Sequence, residues 1–470
     1  MKKIFFFSIP SHGHTNPMLP VAKALVSRGN TVRFYSFNEF REKIEQTGAE
    51  FISCDSFSFE LNEKEEKKLK AVSTTEMTIQ AIRATLKMDT FLDKEFKTFQ
   101  PDIVYTDSVC FWGKLNAQKH NVPMVVSTST FAFNQMSSQY MKHSFKELAD
   151  IISGIPKISK EMKSLESCGY SVKNALSLVQ SDNNTDSVVY TSRKFQPYAE
   201  SFSDHYAFVG PLVFCESVPD KKNNRPVVYI ALGTVINDRP DFYRKCIDAL
   251  GNQDIDVIIS CGKTTDIASL GNLPDNISVF PYVNQPDVLS KADVFISHCG
   301  MNSVSESLYM ATPIVLYPQT AEQKAVARRV SEINAGIMLE DDSAHGINSA
   351  VFNIINNASY KKAAKMCSED FRNCSGATGA AQFIENAPHT SSGIDIINEI
   401  NKTTAHFQLL YLLFTVVLII SGFLFDLKSL CIAGLIALPL SLPVKKAVQN
   451  RKYKKLVKKS KNSRENYFQS

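Results

Sequence analysis

The stretch ADVFISHCGMNSVSESLYMATPIVLYPQTAEQ, residues 292–323, sets the reading of the whole chain. Residues 293–297 form a short, largely apolar run, His298-Cys299-Gly300 follow, and Asn302 and Ser303 open a helical pattern. Asn302 or Ser303 is a good N-cap, which predicts peptide N–H groups pointing back toward the loop. Such a helix start carries partial positive charge and unpaired donors, a combination suited to a diphosphate. Gly300 lets the backbone approach phosphates closely, and His298 adds a side-chain donor. Glu306, one turn on, is placed to take both hydroxyls of a ribose. A second apolar run, 313–317, then delivers Glu322 and Gln323, polar groups of the kind that hold sugar hydroxyls. The plainer reading is a β-turn-α unit capped by Asn302, with His298 an ordinary loop histidine.

The rest of the chain supplies a βα rhythm around this stretch. Residues 4–9 (IFFFSI) are a continuous apolar run, as expected of a parallel strand buried on both faces. The loop 10–15 leads to a helix with Asn16 as N-cap and Pro17 in its first turn. Leu19, Ala22, Leu25 and Val26 repeat at helical spacing, Gly29 stops the helix, and 31–35 is the next strand. This βαβ opening predicts a right-handed, doubly wound α/β domain. Strands follow at 103–106 and 124–127 with a helix at 110–120 between them. Residues 130–175 read as an irregular, partly apolar wall. The runs 188–191 and 207–209 close the first half. From Pro226 the rhythm restarts, with a strand at 227–231 ending on Gly233-Thr234 and further strands at 257–260 and 277–281. Two α/β halves joined by a Pro-bearing linker predict a cleft at their junction.

On the first half, Ser11-His12-Gly13-His14-Thr15-Asn16-Pro17 offers a base. His14 lies at the C-terminal edge of the first strand, where open α/β sheets place ligands, and a neutral imidazole serves there at pH 7. Asp107 follows a strand on the matching edge of the same sheet and would fix the His14 tautomer. By spacing alone, a helix-capping Asp107 is the rival reading.

The string His298-Cys299-Gly300-Met301-Asn302-Ser303-Val304-Ser305-Glu306, with Glu322-Gln323 further on, resembles the donor-binding signature of family 1 UDP-glycosyltransferases. Within that family it looks most like the bacterial macrolide-type enzymes. The resemblance covers about residues 1–395. It implies the GT-B fold, two Rossmann-like doubly wound domains facing across a cleft, and metal-independent, inverting sugar transfer to a hydroxyl. Gly13-His14-Thr15-Asn16-Pro17 matches the family's catalytic His loop, and Tyr105-Thr106-Asp107-Ser108 lies where the family carries its Asp. Thr234 matches a Ser/Thr that touches the phosphates. Tyr282-Val283-Asn284-Gln285 keeps the Gln and an aromatic of a WxPQ turn but loses its Trp and Pro, so Tyr282 stacks on uracil with less area. Glu322 stands where many plant relatives have Asp. Residues 376–386 look like the helix that such enzymes send back across the cleft.

Composition fits this picture. Residues 445–470 hold ten Lys/Arg against one Glu, which leaves the body near −4 out of a formal +5 and gives no reason to expect nucleic-acid binding. The ten cysteines lack CxxC or metal-ligand spacing. Together with an apolar N-terminal run too short for a signal peptide, they read as reduced thiols. No GxGxxG follows the first strand, which disfavours a dehydrogenase. Residues 407–425 are nineteen without a charge, long enough to span a bilayer, and 430–444 are a second uncharged stretch. A hairpin would keep tail and body on one side; its second arm is short and interrupted by Pro439 and Pro443, so a re-entrant segment is the alternative. The positive-inside rule puts the basic tail on the cytoplasmic face, toward anionic lipid, and a UDP-sugar enzyme without a signal peptide is expected on that face too.

The sequence therefore predicts an acceptor-binding domain over 1–210, a linker over 211–226, a UDP-sugar domain over 227–395, a membrane segment over 405–444 and a polybasic tail over 445–470. The expected activity moves glucose from UDP-glucose, as co-substrate without a further cofactor, to a lipophilic acceptor. A nucleotide-sugar epimerase or hydrolase on the same fold, and a membrane-anchored binding module without turnover, are the rivals.

Overall fold

Alternate residues of the first strand supply two different cores. Strand β1 (Lys3–Phe7) is buried on both faces, as a parallel strand between helical layers must be. Ile4 and Phe6 pack with Met18, Val21, Ala22 and Leu25 of the helix Met18–Ser27. Phe5 and Phe7 pack with Met88, Leu92 and Phe96 of the helix Thr74–Phe99. The structure, a computed structural model, describes residues 1–57, 73–141, 145–172, 184–213, 225–233, 237–390, 396–405 and 443–458.

Around β1 lie β2 (Thr31–Ser36), β3 (Glu50–Ser53), β4 (Ile103–Asp107), β5 (Met124–Thr128), β6 (Ser187–Val189) and β7 (Tyr206–Phe208), in the order β3-β2-β1-β4-β5-β6-β7. The pairings from β3 to β6 are parallel. A second sheet contains β8 (Val227–Ala231), β9 (Asp256–Ser260), β10 (Ile277–Phe280), β11 (Val294–Ser297), β12 (Ile314–Leu316) and β13 (Gly336–Met338). Its order is β10-β9-β8-β11-β12-β13, parallel throughout. In each sheet the strand order reverses once, between β1 and β4 in the first and between β8 and β11 in the second. Connections diverge at such a point and leave a crevice at the carboxyl ends of the strands.

Both sheets belong to one compact unit, residues 1–132, 140–197 and 207–389. Late in that unit the helix Gly376–Glu385 returns to the first sheet, where Ala380, Ala381 and Ile384 join the core of Ile4 and Phe6. Glu385 seals the contact, pairing with Arg28 at 2.7 Å and accepting from Asn30 Nδ2 at 2.6 Å. A second unit comprises residues 133–139, 198–206 and 390–470. Its core is Met136, Ile396, Ile397 and Ile400, with Tyr198, Tyr453, Leu456 and Val457 packed against them.

Two local expectations are corrected. Asn16 is no N-cap: it closes a short helix, His12–Thr15, and the next helix starts at Met18 with Pro17 before it. The wall expected over 130–175 contains a long helix, Phe145–Ser167. Ile158, Met162 and Leu165 recur at helical spacing along it and pack with Ile79 and Ile82. Pro156 inside the helix obscures the pattern in sequence. The eight described cysteines are free. Residues 214–224 of the linker and the uncharged stretch 407–425, like nearly all of 430–444, lie outside the described residues. No helix among the described residues is long and apolar enough to cross a membrane.

Candidate active site

At the crevice of the first sheet, β1 leads into the short helix that carries His14, and β4 ends on Asp107. His14 Nδ1 lies 2.8 Å from Asp107 Oδ2. Asp107 is fully buried, and its other oxygen accepts from the Val109 main-chain N–H at 2.9 Å. A carboxylate held in this way accepts the Nδ1 proton and leaves Nε2 of a neutral ring as an acceptor. The His14 side chain keeps 28% of its surface, so the ring is reachable. Burial works against its charged form, but the Asp107 carboxylate, its hydrogen bond and the charge of Glu322 outweigh that effect. The net pKa is raised above the usual histidine value. Ser129, just past β5, places Oγ 3.1 Å from His14 Nδ1. Sequence reading missed it, because a serine after a strand carries no signal beyond its position on the same sheet edge.

The crevice of the second sheet holds the other group. His298 follows β11, and its imidazole fits between Gly233 and Gly300. A Cβ built on either glycine would lie 2.5 Å from His298 Nε2. Gly233 also has φ +80°, a conformation that side chains disfavour. Burial pushes His298 down to about 4, so the ring is neutral at pH 7, with a small opposing pull from the Ala231 main chain. Its buried Nδ1 makes no hydrogen bond of good geometry among the described residues.

The helix behind this loop is Met301–Tyr309, and its N-cap is Gly300, without a side-chain cap. Neither Asn302 nor Ser303 caps it, which corrects the sequence expectation: both already lie inside the first turn. Asn302 Nδ2 donates instead to the Gly13 carbonyl at 3.0 Å, beside His14. Ser303 Oγ accepts from Gln285 Nε2 at 3.2 Å, and the same nitrogen donates to Glu306 Oε2 at 2.7 Å. Tyr229 donates its hydroxyl to Gln285 Oε1 at 3.3 Å. Burial pushes the Glu306 carboxyl up to about 7, against a smaller downward pull from the Gln285 hydrogen bond.

The remaining residues divide. Glu322, exposed in the first turn of the helix Ala321–Glu332, stands close enough for its charge to act on His14. Gln323 is partly committed elsewhere. Its Oε1 accepts from the main-chain N–H groups of Gln319 and Thr320 at 2.8 and 3.2 Å, completing a capping box with Thr320. Only its NH₂ is left for a sugar hydroxyl, and the Thr320-x-x-Gln323 spacing carried that signal. Tyr282 is 74% exposed, with no ring contact among the described residues. Thr234 lies outside the described residues. Among the described residues no group of three or more His, Cys, Asp or Glu has a metal-holding arrangement.

The two sheets and their crevices define an α/β protein of the GT-B type. The fold is shared with the solved glycotransferase of kitacinnamycin, with a TM-score of 0.69 at 22% identity over 82% of this chain and 98% of that one. The family model described as UDP-glucoronosyl and UDP-glucosyl transferase matches residues 215–373. In sequence, the chain is 31% identical over 393 residues to the NDP-glycosyltransferase YjiC of Bacillus subtilis (strain 168). It is 30% identical over 405 residues to the uncharacterized UDP-glucosyltransferase YojK of the same strain. Each match spans 82% of this chain and 97% of the relative. The chain belongs to the UDP-glycosyltransferase family and is a glycosyltransferase.

Proposed function

We propose that the chain transfers glucose from UDP-glucose to a hydroxyl of a lipophilic acceptor, with inversion at the anomeric carbon. His14 Nε2 takes the acceptor proton as the acceptor oxygen attacks the face opposite UDP. Asp107 holds the Nδ1 proton and stabilises the imidazolium that forms. The bond from the anomeric carbon to the diphosphate oxygen breaks, and UDP leaves toward His298, Thr234, Ser303 and the N-terminal turn at Gly300. Protein donors, rather than a divalent cation, carry the diphosphate. Glu306 takes the ribose hydroxyls, Tyr282 lies under the uracil, and Glu322 with the Gln323 NH₂ holds the sugar.

The observation that carries this reading is the 2.8 Å contact between His14 and a fully buried Asp107. The donor assignment draws support from the two Bacillus relatives, which are named for UDP-glucosyl and NDP-glycosyl transfer. The uncharged residues 407–425 support a membrane segment. As a helix they would extend about 28 Å, close to the bilayer's apolar thickness, with the body on the cytoplasmic face. The test is UDP release by the detergent-solubilised protein given UDP-glucose, with and without a total lipid extract. Release only with lipid supports transfer to a lipophilic acceptor. Release without it points to hydrolysis and contradicts the proposal.

A further inference from the structure

Residues 443–458 are helical and contain no acidic residue. One side of this helix is already used. Tyr453, Leu456 and Val457 pack on Ile396, Ile397 and Ile400, Tyr453 meets Tyr198 edge-on at 5.2 Å, and its hydroxyl donates to Glu200 at 3.0 Å. Gln449 is buried on the same side. The other side carries Arg451, Lys454, Lys455 and Lys458, all exposed, at three- and four-residue spacing that puts them on one face. None of the four makes an ion pair among the described residues. Lys446 adds an exposed cation nearer the helix start.

We infer that this face is a preformed docking stripe for an anionic bilayer surface. The inference deepens the membrane part of the proposed function and does not depend on how residues 407–425 sit in lipid. Two features favour lipid. First, a helix whose apolar side is spent on its own core cannot insert that side into a bilayer, so what it offers outward is charge. Four clustered, unneutralised cations attract an anionic surface within a Debye length. Second, the helix follows the uncharged run 430–442 directly in sequence, so any contact of that run with lipid brings the stripe to the headgroups. A nucleic acid would meet the same cations but not the apolar run, and the body of the chain is net negative.

The test compares flotation of the purified full chain with preformed vesicles of phosphatidylcholine alone and with 30% phosphatidylglycerol (about one anionic headgroup in three). The wild type should favour the anionic vesicles by about a hundredfold, and 0.5 M salt should erase most of the preference (Debye length about 4 Å). The quadruple variant Arg451→Gln, Lys454→Gln, Lys455→Gln, Lys458→Gln should lose it while retaining its phosphatidylcholine binding and its turnover of UDP-glucose with a soluble acceptor. Should the quadruple variant misfold, Lys454→Gln with Lys458→Gln should still lose part of the preference, and a variant that folds and keeps all of it overturns the inference. Equal binding to both vesicles, an anionic preference that salt leaves intact, or a stronger affinity for oligonucleotide than for anionic vesicles each overturns the inference. Loss of transfer activity would bear on the proposed function instead.

Discussion

The side-chain amide of Asn302 donates to the main-chain carbonyl of Gly13 at 3.0 Å, although the residues lie 289 positions apart. The helix start on the donor side is thus tied to the peptide adjoining His14. In the proposed function, an amide placed there sets the position of His14 relative to the leaving UDP. Asn302→Ala should cost about 1 kcal/mol of stability for the lost hydrogen bond. It should lower kcat by about tenfold or more, because misplacing a base is costly. Thermal melts and steady-state kinetics measure the two effects, and an unchanged kcat would contradict the link.

The His14–Asp107 pair fixes a pH signature. A base must be unprotonated, so kcat/KM should rise with pH through the His14 pKa, which lies above the usual histidine value. Asp107→Asn removes the charge that raises it. The acid limb should then move to lower pH, and the rate should fall by about 10²–10⁴. The same shift governs stability. A histidine whose folded pKa is raised contributes fully below its unfolded value, and that contribution is lost as pH rises through the folded value. The pair should therefore stabilise the fold more at pH 5 than at pH 9 (about 1.5 units below and about 2.5 above the ordinary histidine value).

In the proposed function, Glu306 should make donor binding depend on pH. Its carboxyl, pushed up to about 7 by burial, is partly protonated at neutrality. A ribose that donates two hydroxyls prefers the ionised form. UDP affinity should rise from pH 6 toward pH 8, by at most about tenfold per unit, and then level off. Calorimetric titration of UDP into the wild type and Glu306→Gln checks this. The variant should bind more weakly and without that slope.

Gly300 offers a clean probe of the histidine cradle. Its φ of −61° suits any residue, so alanine there introduces no backbone strain. The new Cβ would meet His298 Nε2 at 2.5 Å and force the ring away. Gly300→Ala should cost about 1–3 kcal/mol of stability by overpacking. It should also raise the KM for UDP-glucose more than it lowers kcat. An unchanged KM would show that the His298 ring does not serve the donor.

Much of this arrangement was legible in sequence, for reasons that differ by residue. The apolar runs at β1, β8 and β11 could be read because parallel strands buried on both faces need no alternation. His14 follows β1, Asp107 ends β4, His298 follows β11 and Glu306 lies in the helix behind it, so their places at the two crevices came with the fold. Asn302 was legible as a polar residue in a helix start, but its bond to Gly13 depends on how distant segments meet. Gln323 carried two signals, sugar-holding amide and capping box, and only geometry shows that its oxygen serves the cap. Ser129 had no distinguishing context. The helix Phe145–Ser167 was hidden because Pro156 interrupts it and its buried residues are interleaved with exposed Ile152 and Ile155.

The most direct test of the account is His14→Ala, assayed for UDP release with acceptor and, separately, for UDP binding. Transfer should fall by at least about a hundredfold with UDP affinity unchanged, since the proposed base acts on the acceptor. Turnover at the wild-type rate would contradict the role of His14 and the mechanism built on it.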